Sequence, residues 1–223
     1  MANQTVVGER PNDTGSEDFL FFYMPDALHG EFCQWYPSIF EVSRAVIQDL
    51  VGNGLATEVA GSVDPISRVP AMIKFNCAEQ FMMLCKAARF SDHDRQRRIM
   101  ATDSPKEQKR LAKLTVNFTE ARWDEVKSQV VEAGNFAKFT QNIHLQRKLL
   151  ATGDRILCEA ASRDRVWGIG YTAKHAMSQR KHWGENRLGK ALMAVRTRLR
   201  EFEEEQRRVE RSWEYEAFGE TGA

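Results

Sequence analysis

The fifteen residues from Asn76 to Phe90 (NCAEQFMMLCKAARF) constrain this chain more than any other stretch. Read as a helix at about 100° per residue, Phe81, Met82, Met83, Leu84, Cys85, Ala87, Ala88 and Phe90 cover nearly every direction. A helix that is apolar all round is a buried helix, so other elements must wrap it. Two charged residues interrupt it. Glu79 and Lys86 are seven apart, which places them within about 20° of one another and about 10 Å apart along the axis. Neither type is at home in a core without a partner. Two readings follow. Asn76 as N-cap with Glu79 three residues on spells a capping box, and a lysine at a helix end can snorkel. Alternatively both groups face one cavity with room for a sugar between them. Desolvation would raise the carboxyl pKa and lower the amine pKa, which suits both to acid, base or nucleophilic work.

The rest of the chain predicts a predominantly helical α+β domain with a few short strands. Phe19–Tyr23 reads as a buried strand, and Gly30–Phe40 (GEFCQWYPSIF) as an ordered loop on the core. Ser38–Leu50 has rough helical spacing, residues 51–70 read as a surface loop, and Ala71–Phe75 as a strand leading into the central helix. Helices are expected at about 105–114, 120–133 and 136–150, the first opened by Ser104–Pro105. Arg155–Ala160 reads as a strand and Ser162–Tyr171 as a loop. A long helix should run from Asn186 to about 212, with Leu188, Leu192, Val195, Leu199 and Phe202 on its apolar face. Strand and helix do not alternate, which argues against a doubly wound sheet. The expected organisation is a disordered leader over 1–17, one domain over 18–212 and a flexible tail over 213–223.

The 223 residues suit one domain with a sizeable core, and a net charge of +1 supplies no bulk basic field. A nucleic-acid substrate would have to be gripped locally. Cys33, Cys77, Cys85 and Cys158 lack paired spacing and read as reduced packing residues, and the scattered histidines predict no metal site. No apolar run reaches the length of a membrane span, and no targeting signal is seen. A cytoplasmic protein is expected, with nuclear access left open.

Two further constellations carry chemistry. In Glu159–Gly170 (EAASRDRVWGIG), Asp164 precedes Trp167 by three residues beside Gly168 and Gly170. Glycines permit close backbone approach, and a tryptophan face can stack on a base or sugar. In Trp183–Leu199, Asn186 is a plausible N-cap, and Gly189 in the first turn hints at close packing or close ligand approach. Free amides at such a helix start can hold phosphate. Trp35 and Trp123 are additional stacking candidates.

Taken in order, GEFCQWYPSIF, FNCAEQFMMLCKAARF, KFTQNIHLQRKLLATGD, EAASRDRVWGIG and WGENRLGKALMAVRTRL resemble the YbiA-like family, also called NADAR, over about residues 19–200. The stretch 42–70 is longer than the family's usual junction, and Cys33 and Gln34 stand where Ser or Asn is common. The resemblance implies a YbiA-like domain with N-glycosidase chemistry on a phosphate-bearing ribose, with no cofactor. The substrate is expected to be ADP-ribosylated guanine, as nucleotide or nucleic acid, with release of ADP-ribose. A phosphoribosylamino intermediate of riboflavin biosynthesis is the alternative, and a non-catalytic ADP-ribose or NAD binding module is the reading from another class. The resemblance makes Glu79 an acid/base or a stabiliser of charge at C1, Lys86 a proton donor or a nucleophile at C1, and Asp164 the group that orients ribose hydroxyls or water. Trp35, Trp123 and Trp167 would bound the sugar or base. Gly168, Gly170, Asn186 and Gly189 would offer close approach and phosphate donors. Gly30, Glu31 and Phe32 complete the expected binding set.

Overall fold

The computed structural model describes residues 18–57 and 71–219, with side chains described as far as Arg211. The expected leader over 1–17, most of the 51–70 loop and residues 220–223 lie outside the described residues. The architecture is predominantly helical α+β, as the sequence predicts. The elements are β1 (Phe19–Phe22), a 3-10 turn (Gly30–Phe32), β2 (Phe40–Ser43), α1 (Arg44–Val51), β3 (Met72–Phe75), α2 (Ala78–Arg89), α3 (His93–Met100), α4 (Pro105–Ala112), α5 (Glu120–Asp124), α6 (Lys127–Gln141), α7 (Ile143–Leu150), β4 (Ile156–Glu159), α8 (Ala173–Ala176), a 3-10 segment (Met177–His182) and α9 (Arg187–Gly219).

Helix α2 is the axis of the molecule and is packed by α1, α3, α4 and α6. Its residues from Ala78 to Cys85 are all buried, Glu79 among them. The capping box is not formed. Cys77 is the N-cap and makes no side-chain cap bond. The reach back to the Asn76 amide is made by Gln80 Oε1 at 2.9 Å, while Gln80 Nε2 donates to the carbonyls of Ile99 and Thr102. Glu79 is thereby free of capping duty.

Two small sheets flank this bundle. β1 pairs in parallel with β4, Phe22 opposite Glu159, and β2 pairs antiparallel with β3, Phe40 opposite Phe75. Two-stranded sheets need cover to persist. Here α9 lies on β4 and α6 on β2.

Several expectations are corrected. The helix expected from Ser38 starts at Arg44. Phe40 and Val42 are buried while Glu41 between them is exposed, a period of two that pairs as strand β2. Helix α3 was absent from the sequence reading because its face is almost wholly polar; only Gln96 and Ile99 are buried, and Asp92 caps it through the Arg95 amide. The break expected near residue 134 falls at Asn142 instead. Helix α6 runs through Gly134, where the Phe81 ring occupies the space a Cβ would need, 2.5 Å from Phe81 Cδ1. The 51–70 loop does not begin as a surface loop: Leu55 and Ala56 are buried, and the Ala56 amide donates to Gln96 Oε1. Helix α9 extends to Gly219, past residue 212, and Phe202 on its expected apolar face is exposed. The four cysteines are free and buried. No helix among the described residues is long and apolar enough to cross a membrane.

Candidate active site

A cavity of about 330 Å³ opens beside α2. Glu79, Met82, Met83 and Lys86 of that helix form its floor, so the charged stripe of the sequence does face one space. The two methionines expected in the core are buried and also line this floor. Trp35, Trp123, Trp167 and Asp164 line it as well, brought from three distant segments.

Each wall is held by local geometry. Before Trp35, the buried ammonium of Lys138 donates to the carbonyls of Glu31 (2.8 Å) and Cys33 (3.1 Å), and the Glu79 amide donates to the Gln34 carbonyl at 3.0 Å. The turn is thus tied to both α6 and α2. On the opposite wall, Asp164 Oδ1 accepts from the amides of Val166 (3.1 Å) and Trp167 (2.8 Å), which curls the loop and sets the Trp167 ring. Glu159 ends β4 inside the cavity, and its amide donates to Asn186 Oδ1 at 3.1 Å.

The electrostatics follow from burial. Glu79 is pushed up to about 7, first by loss of solvent, against the opposing charge of Lys109 and a hydrogen bond from the Trp35 side chain. Glu159 rises to about 8, again through burial and then through the nearby negative charge of Asp164. Glu79 Oε1 and Glu159 Oε2 are buried without a hydrogen-bond partner. Lys86 is half-buried with Nζ 4.0 Å from the Phe118 ring centroid, and burial lowers its pKa. Two carboxyls that change protonation near neutrality therefore share a cavity with a depressed amine, an arrangement that separates proton donors from acceptors.

The remaining expected residues do not line the cavity; they frame it. Gly30 packs on the chain, where a Cβ would sit 2.3 Å from the Pro25 carbonyl, Phe32 lies in the core against Phe22, and Glu31 pairs with Lys148 at 3.3 Å. Gly168 packs on Glu159, and Gly170, at φ +80°, lies opposite Ser162 in an isolated bridge. Gly189 serves close helix–strand packing, since its Cβ would lie 2.0 Å from the Leu157 carbonyl. The phosphate role expected of the α9 start is corrected. The amides of Asn186, Arg187 and Leu188 donate to the carbonyls of Gly168, Val166 and Trp167 and are not free for a ligand. Asn186 is not a side-chain cap there; its Nδ2 donates to Leu157 at 2.8 Å, locking α9 to β4.

Sequence reasoning missed Glu159, Lys109 and Lys113, all of which line the cavity. A lone carboxylate closing an apolar strand and an i,i+4 lysine pair were the available signals. Among the described residues no group of three or more His, Cys, Asp or Glu side chains is arranged to hold a metal ion.

Residues 21–200 match the model of the NADAR domain family. The chain is 40% identical to the protein named N-glycosidase R617 of Acanthamoeba polyphaga mimivirus over 121 residues, 53% of this chain and 71% of that one. It is 27% identical over 185 residues to the protein named riboflavin biosynthesis protein VVA0006 of Vibrio vulnificus, covering 83% of this chain and 40% of that protein. Its fold is similar to that of the NMR structure of the E. coli protein YbiA, with a TM-score of 0.57, 22% identity, and coverage of 83% of this chain and 86% of that one.

Proposed function

This chain belongs to the NADAR domain family and is an N-glycosidase, and from that premise we propose that it hydrolyses the bond between ribose C1 and a guanine nitrogen, releasing ADP-ribose. The observation that carries this reading is the pair of buried, unpartnered carboxyl oxygens of Glu79 and Glu159 facing the same cavity as Lys86. Breaking a C1–N bond leaves positive charge on C1 and negative charge on the base nitrogen. Water then adds hydroxyl to C1, and a proton goes to the nitrogen. A carboxylate beside C1 stabilises the oxocarbenium-like state. Glu79, half ionised near pH 7, takes that place and receives the proton of the attacking water. Glu159, neutral up to about pH 8, donates a hydrogen bond to the substrate at the same pH. Asp164 orients the ribose hydroxyls, its carboxylate already held by two amides. Lys86 protonates the departing base or attacks C1 to form an imine with ring-opened ribose. Trp35, Trp123 and Trp167 supply apolar faces on which a purine and its sugar can stack.

A phosphoribosylamino intermediate is the second reading, supported by the name of the Vibrio vulnificus relative. Incubation with an ADP-ribosylated guanosine oligonucleotide and, separately, with the phosphoribosylamino pyrimidine distinguishes the two by which releases free sugar. Release from the pyrimidine alone would overturn the guanine reading. Borohydride reduction during turnover tests Lys86: a trapped adduct lost in Lys86→Ala supports attack at C1, and no adduct argues for acid catalysis.

A further inference from the structure

The cavity carries charge of both signs. The carboxylates Glu79, Glu159 and Asp164 line it together with three ammonium groups, Lys86 from α2, Lys109 from α4 and Lys113 from the C-cap of α4. A fourth, Lys127, is neutralised by Glu120 at 3.1 Å and by Asp124. Lys86, Lys109 and Lys113 form no ion pair among the described residues. A lysine near a helix C-terminus is ordinary by itself, because it complements the helix dipole. Three of them converging on one cavity, none with a carboxylate at ion-pair distance among the described residues, is not, since like charges at i,i+4 spacing repel. The repulsion registers at Lys86, whose amine is lowered by burial and then further by Lys113 and Lys109, against the pull of Glu120 and Glu79.

The helix that carries this charge is anchored. Gln108, fully buried and next to Lys109, donates to Asn76 Oδ1 (3.2 Å) and to the Thr102 carbonyl (2.8 Å), while Leu111 and Ala112 are in the core. Lys109 and Lys113 therefore project from a fixed surface one helical turn apart. At the α9 start the Asn186, Arg187 and Leu188 amides are already used.

We propose that Lys109 and Lys113 form the phosphate subsite of this cavity and straddle the diphosphate of an ADP-ribosyl substrate, with its ribose turned toward Glu79, Glu159 and Asp164. The diphosphate identity rests on the guanine reading above; the anion site does not. Bound phosphate supplies a counter-charge at ion-pair distance. It also favours the protonated form of Lys86, so that binding prepares the proton donor.

The test is calorimetric titration of the full chain with inorganic diphosphate, ADP-ribose and adenosine, at low and high salt. Diphosphate is expected to bind, to compete with ADP-ribose and to weaken with salt. K109Q/K113Q should weaken both anions by about a hundredfold, about tenfold per charged contact. K109R/K113R should retain them, which separates a charge role from a packing role. Failure of wild type to bind diphosphate, or unchanged anion affinity in the glutamine variant, overturns the subsite. Turnover of ADP-ribosylated guanosine by wild type is read separately. Anion binding that responds to these lysines without release from that substrate supports the subsite and refutes the guanine reading.

Discussion

Replacing Glu79 by Gln removes a charge and keeps the shape, so its effect on stability can be worked through. The carboxyl has an ordinary pKa of 4.5 and is raised to about 7 in the fold by burial. A group raised on folding contributes most below its unfolded pKa. That contribution is lost as pH climbs from 4.5 to 7 and stays lost above. At about 1.36 kcal/mol per pH unit, ionised Glu79 costs the native state about 3 kcal/mol at pH 8 relative to pH 4.5. The Gln variant does not titrate there. Its amide brings a donor with no assured partner, at about 1–3 kcal/mol, but that cost is the same at every pH. The difference in unfolding free energy, variant minus wild type, should therefore rise by about 3 kcal/mol between pH 4.5 and 8, whatever its absolute value. Urea denaturation of both proteins across this range measures it, and titrating groups not coupled to Glu79 cancel. The same substitution should lower kcat by about 10²- to 10⁴-fold, since it removes an acid/base group. Parallel stability curves would refute the claim that Glu79 ionises at a cost inside the fold.

Other consequences are equally direct. The pH profile of kcat/KM should rise as Glu79 ionises through about 7 and fall as Glu159 loses its proton through about 8, and Glu159→Gln should remove the fall near 8. Asn186→Ala removes the bonds to Leu157 and to the Glu159 amide and should lower stability by about 2–3 kcal/mol in denaturant titration. Gly189→Ala drives a methyl into the Leu157 carbonyl and should cost about 1–3 kcal/mol, seen as a lower Tm.

The parts of the site that were legible in the sequence share one property: their partners are local. Glu79 and Lys86 lie on one helix, and period alone puts them on one face. Asp164 and Trp167 are three residues apart and make a bond of their own. What the sequence hid depends on which neighbour wins a contact. Glu79 and Gln80 are equally placed to reach back toward Asn76, and only the positions of the Ile99 and Thr102 carbonyls direct Gln80 there. Asn186 looks like a cap until β4 arrives to claim both ends of its amide. Glu159 and Lys109 are unremarkable in their own segments, one closing a strand and the other on a polar helix. They become chemical groups only when the fold brings the end of β4 and α4 to the same cavity. The fold also explains why Glu79 can be reactive at all. Gln80 takes over the end of the helix, so the neighbouring carboxyl is left with a buried oxygen that no protein group satisfies. A buried oxygen of that kind costs stability, and the cost is offset when a substrate supplies the missing donor.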